Sequence, residues 1–247
     1  GMTCVILSDG IDLSVGSTFA LSAIICAELM IHGIPAAAAI LIALLAGTAL
    51  GMVSGVLVTK GRLQPFIATL ITMTAYRGLA LIITDGKPVS RLAASVKSES
   101  GAFLFKVLGK GSFVFGPNDM ISIPIPAIIL ILFLLVFYFV LHHTTFGRRI
   151  YATGSNEKCA KLVGVNTTKI RIAVYSISGF MSALAGLIMI SRVDSAQPTL
   201  GEGYELDAIA AVALGGTSMS GGRGTVLGAL LGSLILATIA KALPLIP

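Results

Sequence analysis

Long uncharged runs alternate with short polar connections from one end of the chain to the other. A helix needs about 20 mainly apolar residues to cross the hydrocarbon core of a bilayer, and fewer where it is broken or packed within a bundle. The runs at 13–31, 36–58, 66–83, 121–141, 172–190 and 226–243 meet that demand and predict six spans. The run at 36–58 has no charge at all, 66–83 has only Arg77, and 13–31 has only Glu28, near its end. His32 to Pro35 reads as a tight turn between the first two spans. Residues 206–214 are apolar but too short to cross alone, and predict a half-helix. Apolar sequence begins at once after Gly1, and the chain stops at Pro247 directly after a span, as expected of a chain cut at both ends.

Small residues recur every four positions in three of these runs: Gly47, Gly51 and Gly55; Ser178, Ser182 and Gly186; Gly224, Gly228 and Gly232. At 3.6 residues per turn each row lies along one helix face, where backbones can approach closely. Packing within one bundle and packing between subunits both account for such rows.

Composition supports the span reading. Charged residues make up 11% of the 247 residues, apolar types make up 55%, and no tryptophan is present. An ordinary soluble domain carries about 25% charged residues. A soluble enzyme, a disordered chain and a nucleic-acid reader are therefore poor fits. The net charge of +6 does not form a basic face for phosphates, because the Lys and Arg residues sit mainly between the apolar runs. Cys4, Cys26 and Cys159 have no zinc-like spacing, and no basic leader with a cleavage site marks a signal peptide. The sequence offers no catalytic residue, metal site or cofactor motif. The fold class is an all-α polytopic membrane protein, a bundle of transmembrane helices.

The polar connections set its orientation. The stretch 146–171 carries six basic residues against one acid, Glu157, and the turn Lys60-Gly61-Arg62 is also basic. The positive-inside tendency assigns both to the cytoplasm, and two crossings between them keep them on one side. The connection 84–119 then lies outside, although it holds five basic residues of its own.

Two irregular stretches, 9–17 and 215–223, align at Gly10/Gly216, Ser14/Ser220 and Gly16/Gly222, with Asp12 opposite Ser218. Each directly precedes a long apolar run. Non-helical backbone at membrane depth is tolerated only when buried in protein or facing a watery cavity. Broken helices at corresponding places in two halves point to a transport path, here Gly10, Asp12, Ser14, Gly16, Gly216, Thr217, Ser218 and Ser220. The chain then divides into a first half to about 141, a loop at about 142–171 and a second half from about 172, within one transmembrane domain over 1–247.

Gly10-Ile-Asp-Leu-Ser-Val-Gly-Ser17 resembles the signature of the ribose-type sugar-import permeases of bacterial ATP-binding-cassette transporters. The resemblance continues through Lys60-Gly-Arg-Leu-Gln-Pro-Phe-Ile-Ala-Thr69, Gly147-Arg-Arg-Ile-Tyr-Ala-Thr-Gly-Ser-Asn156, Ser195-Ala-Gln-Pro-Thr, Gly203-Tyr-Glu-Leu-Asp-Ala-Ile-Ala-Ala-Val and Leu214-Gly-Gly-Thr-Ser. These blocks cover most of the chain in family order. Relatives for arabinose, xylose, galactose, allose and autoinducer-2 share much of the pattern. Asp9 departs from the family, whose members often have Gly there, and Cys159-Ala160 stands where a small pair is common.

The resemblance implies a transport subunit in the bacterial inner membrane that hydrolyses nothing itself. Two permease copies would form the path, with a periplasmic binding protein delivering the sugar and a cytoplasmic ATPase supplying energy. The family fold of typically ten helices implies that this chain lacks the first portion and the last helix. The absence of a G-x-x-x-x-G-K-[ST] phosphate loop agrees with a separate ATPase. The loop 147–169 resembles the family's coupling segment, a short helix that docks on the ATPase. Asn156 is its candidate N-cap, Glu157 suits the positive helix end, and Gly164 suits the C-terminal stop. A helix over 157–163 would offer Ala160, Leu162 and Val163 to the partner, with Gly154 just upstream. An ordinary capped loop helix is the alternative.

Several residues carry two readings. Asp12 either caps the next helix through the N–H groups of Ser14 and Val15 or contacts sugar. Arg77 either pairs within the bundle or lies near the outer surface. Glu202, Glu205 and Asp207, with Arg192 and Asp194, either meet the binding protein or are solvated. An ion-coupled channel or carrier would need a repeated intramembrane carboxylate or a filter motif, and the spans have neither. An intramembrane enzyme would need a base or metal ligands within the spans, whereas His32, His142 and His143 fall at span ends.

Overall fold

Prolines and left-handed residues punctuate the helices of the computed structural model, which describes residues 1–95, 99–115 and 121–243. Within the predicted outer connection, 96–98 (with Lys97) and 116–119 lie outside the described residues, as does Pro247. The chain begins with a buried short helix α1 (Met2–Leu7), passes through a non-helical stretch and enters α2 (Val15–Ile31). Gly33 turns the chain at φ +85, and Pro35 opens α3 (Ala36–Thr59). Pro65 occupies the first position of α4 (Pro65–Thr84), where its missing N–H is no loss, and Asp85 ends that helix in the left-handed region.

The described residues of the connection 84–119 are not a plain polar loop. They form β1 (Val89–Ser90), α5 (Leu92–Ser95), α6 (Glu99–Lys110) and β2 (Ser112–Phe115). β2 pairs antiparallel with β3 (Ile121–Pro124), with Val114 opposite Ser122. The predicted span at 121–141 therefore starts later, as α7 (Ile125–His143). Pro124 and Pro126 explain the shift: neither offers a backbone N–H, so both fit an extended entry or a first helical turn. A polar connection of two helices follows, α8 (Thr145–Ser155) and α9 (Glu157–Leu162). Only the second was predicted. Thr144 caps α8 by accepting from the Gly147 N–H at 3.2 Å.

α10 (Thr167–Val193) begins five residues before the predicted 172 because Asn166 caps it through the Lys169 N–H at 2.9 Å. β4 (Ser195–Ala196) pairs with β1, and the chain ends in α11 (Tyr204–Leu214) and α12 (Val226–Ala242). α11 is the expected half-helix.

α3, α4, α7 and α10 are each long and apolar enough to cross a membrane. α2 and α12, predicted as full spans, have 17 residues each, and each is preceded by a break and a shorter helix. The most extensive interface is α3 against α10, where the predicted small-residue row acts. A Cβ on Gly47, Gly51 or Gly55 would strike α10 at Gly179, Ala183, Tyr175 or Ile172. Gly186 lies against Phe19 of α2, while Gly228 and Gly232 lie against Gly215 and Ala211. These rows thus pack helices within one chain.

Two apolar clusters sit at opposite ends of the bundle. One joins Met30, Ala36, Tyr76, Leu92, Phe105 and Ile190. The other joins Val58, Leu141, Ile150, Ile170 and Leu7, so the Lys60 turn and the α8–α9 connection share an end. In α7 only Leu141 is fully buried; Leu130, Ile131, Leu132, Leu135 and Phe139 are exposed as on a lipid-facing helix, while Phe133 and Phe137 are half-buried on the inner side.

Candidate translocation and coupling site

The first break runs from Ser8 to Ser14 and is held by hydroxyls from neighbouring helices. Asp12 is 1% exposed. Its Oδ1 accepts from the Ser14 N–H at 3.0 Å and the Ser14 hydroxyl at 2.6 Å, and its Oδ2 accepts from the Ser178 hydroxyl of α10 at 2.8 Å. A carboxylate in a span is costly unless such donors surround it. The carboxylate closes a local turn before α2 rather than capping a helix at Leu13, since α2 starts at Val15 and no Asp12 bond reaches the Val15 N–H. Tyr175 donates to the Ile11 carbonyl at 3.1 Å, as does Thr69 at 3.3 Å. Ser54 of α3 donates to Thr72 of α4 at 3.1 Å and lies 3.4 Å from the Ser14 hydroxyl. Gly10 and Gly16 permit close approach: a Cβ at Gly10 would meet the Tyr175 hydroxyl, and one at Gly16 would meet the Gly201 carbonyl and the Glu205 carboxylate.

The second break, between α11 and α12, is a glycine-rich turn. Gly216, Gly221 and Gly222 have φ of +80, +76 and +70, values an L side chain rarely adopts. Ser218 donates its N–H to the Arg223 carbonyl at 2.8 Å, and Ser220 its N–H to the Ser218 hydroxyl at 3.3 Å. The Thr217 side chain is buried and its hydroxyl has no partner among the described residues. Ser220 and Gly216 are exposed.

The two breaks touch. The Gly222 N–H donates to the Leu7 carbonyl at 3.0 Å. Gly154 of α8 fills the third side of this junction, since a Cβ there would strike the Leu7 carbonyl and the Gly222 nitrogen. Tyr151, one turn earlier, donates to the Gly224 carbonyl at 2.8 Å. An open cleft of about 820 Å³ runs beside both half-helices, and Phe133, Phe137, Ser178, Ser182 and Asp207 are among the residues that line it.

α9 follows α8 directly, and its Glu157 shares the Arg171 guanidinium with Asp9 of the first break. Asn156 accepts from the Cys159 N–H at 3.0 Å, which is the predicted cap, and Gly164 leaves the helix at φ +82. Leu162 and Val163 are 87% and 78% exposed, whereas Ala160 is 3% exposed. Ala160 therefore packs against the chain itself and is not offered outward as expected. It falls on the α9 face turned toward the bundle. Glu157 pairs with Lys161 at 2.8 Å and Arg171 at 3.1 Å and accepts from Thr167 at 3.1 Å. The Lys161 hydrogen bond leads in holding the Glu157 carboxyl below its ordinary value, against the opposing effect of burial.

At the opposite end, Arg77 donates to the carbonyls of Pro198 at 2.5 Å and Leu200 at 2.9 Å, which names the partner the sequence left open. Asp194 accepts from the Ala93 N–H at 2.8 Å. Ser54, Thr72, Tyr151, Arg171 and Tyr175 were not singled out in the sequence, and Ser178 was noted only for its size. The available signal was the recurrence of hydroxyls at helical spacing within otherwise apolar runs. Among the described residues no three His, Cys, Asp or Glu side chains gather as metal ligands.

A multi-pass helical bundle with two broken helices meeting beside a polar, capped connection defines a membrane permease. The family described as branched-chain amino acid transport system / permease component matches residues 1–247, and the chain belongs to that family. It is 48% identical over 246 residues to the ribose import permease protein RbsC of Bacillus subtilis, covering 100% of this chain and 72% of that protein. It is 46% identical to RbsC of Escherichia coli K12, covering 100% and 73%. The autoinducer 2 import system permease protein LsrC of Yersinia pseudotuberculosis is 39% identical, covering 100% and 66%. No solved structure matches the chain.

Proposed function

We propose that this chain is the permease subunit of an ATP-driven importer in the bacterial inner membrane and forms the path for ribose or a close monosaccharide. The observation that carries this reading is the junction itself: both breaks meet at Leu7 and Gly222 against α8, and α8 leads directly into α9 with its exposed Leu162 and Val163. A partner docked on α9 would bear on the breaks through α8. That partner is a cytoplasmic ABC ATPase, which places the Lys60 turn and α8–α9 in the cytoplasm, in keeping with their basic charge. A periplasmic sugar-binding protein delivers the solute from the opposite side, and a second permease copy completes the path. The path residues are Gly10, Asp12, Ser14, Gly16, Gly216, Thr217, Ser218 and Ser220, with the buried first break as its fixed wall and the more open second break as its accessible one. Gly154, Asn156, Glu157, Ala160 and Gly164 build the coupling connection. Ribose is favoured over autoinducer-2 by the higher identity to the ribose permeases.

The test is sugar uptake in membrane vesicles holding the full-length protein, its ATPase and its binding protein, against a sugar panel led by ribose. Uptake of ribose that requires ATP and all three components is expected. Uptake that persists without the ATPase and follows an ion gradient overturns the mechanism, and preference for another solute overturns the substrate.

A further inference from the structure

One face of α10 touches both the docking helix and the first break. Thr167, Arg171, Tyr175 and Ser178 are spaced by four, four and three residues and so line a single helix face. At the Thr167 end, the hydroxyl donates to Glu157 of α9 at 3.1 Å, and the Arg171 guanidinium lies 3.1 Å from the same carboxylate. Arg171 also lies 3.9 Å from the Asp9 carboxylate, at the start of the break. One turn further, Tyr175 donates to the Ile11 carbonyl at 3.1 Å, and Ser178 donates to Asp12 at 2.8 Å. Thr167, Tyr175 and Ser178 are almost fully buried, and the Arg171 side chain is 15% exposed. At 1.5 Å per residue the face extends about 16 Å.

We propose that this face of α10 is a rigid linkage that fixes the first break in register with α9, and that Arg171 is its joint, a positioning residue for transport. The inference rests on the reading of α9 as the ATPase-docking helix. A hydrogen-bonded helix transmits displacement along its axis with little compliance, so a linkage needs firm attachment at both ends. Glu157 supplies one attachment, since removing Arg171 would leave α9 held to α10 on this face only through the Thr167 hydroxyl. Ile11 and Asp12 supply the other. The Asp9 arm is weak by itself because that carboxylate is half-exposed and screened. Asp9 sits in the left-handed region at φ +60. Both carboxylates face the same Nη2 of Arg171, so the joint uses its permanent charge and reach, which a lysine ammonium can match in part.

The experiment uses the complete transporter in proteoliposomes, measuring sugar uptake and ATP hydrolysis in the same vesicles for wild type, Arg171→Gln, Arg171→Lys, Tyr175→Phe and Ser178→Ala. Arg171→Gln is expected to keep the ATPase bound and hydrolysing while uptake per ATP falls about tenfold. Ser178→Ala should lower the same ratio, Arg171→Lys should restore part of it, and the Arg171→Gln/Ser178→Ala double variant should be no worse than its weaker parent. Tyr175→Phe removes one hydroxyl while keeping the ring, so it reports on the linkage should Arg171→Gln fail to insert. Unchanged ratios in these variants, losses that multiply in the double variant, or an Arg171→Gln permease that sheds its ATPase would each overturn the linkage. Wild-type vesicles that fail to import with ATP would instead overturn the transport reading on which it rests.

Discussion

Asp12 illustrates how a charged group can be kept in an apolar bundle. All its contacts are short, and each comes from a group that can donate: an N–H and a hydroxyl from Ser14 and a hydroxyl from Ser178. The geometry separates the need for a charge from the need for an acceptor. Asn at this position still accepts from Ser14, and the Ser178 hydroxyl can rotate to accept from the new amide. Leu cannot accept at all and leaves three buried donors unmatched, at about 1–3 kcal/mol each. Import is expected to survive Asp12→Asn and to be lost with Asp12→Leu, as read by vesicle uptake normalised to inserted protein. Loss with both variants would show that the negative charge itself is used.

At the scale of elements, α9 owes its form to its ends. It has six residues, too few to hold as an isolated helix. Asn156→Ala removes the bond to the Cys159 N–H at a cost of about 1 kcal/mol, and faster amide exchange at Cys159 should report it. Gly164→Pro is harsher. Proline fixes φ near −65° where the chain needs +82, and it removes the N–H that bonds the Lys161 carbonyl at 3.0 Å. That variant should insert normally yet lose ATPase co-purification and uptake, and normal uptake would remove the coupling role of α9.

These cap residues were legible in the sequence because capping is local chemistry: Asn, Glu and Gly stand at fixed offsets from one helix. The long apolar spans were legible for the same reason. α8 was not, because Arg148, Arg149 and Gly147 make its composition read as loop, and its helicity depends on Ile150 packing into the cluster with Leu141 and Ile170. The strand pair of β1 with β4 joins residues more than a hundred positions apart, and no local pattern announces it. Ser54, Thr72 and Ser178 look alike in sequence to any span hydroxyl that bonds its own preceding turn. Only the folded neighbourhood of Ile11 and Asp12 separates them.

For the molecule as a whole, its sidedness can be read from its cysteines. Cys4 and Cys26 are buried, while Cys159 is exposed on α9. A membrane-impermeant maleimide should label Cys159 in inside-out vesicles stripped of the ATPase and not in sealed right-side-out vesicles, the Cys159→Ser variant identifying the part of the signal that belongs to this position. Labelling from the outside would invert the orientation. The α3–α10 seam bears on how such a molecule can vary. Gly51 and Gly179 meet backbone to backbone, so neither position holds anything that could be trimmed. A seam between leucines can drift by exchanging one shape for another across the contact, because an enlargement on one side can be offset by a reduction on the other. Between two glycines no compensating reduction exists, and every amino-acid change at either position adds volume. A larger residue at Gly51 or Gly179 is therefore an uphill step that only separation of the two helices can accommodate, whereas at Gly47 a reduction of Ala183 would relieve the nearest contact.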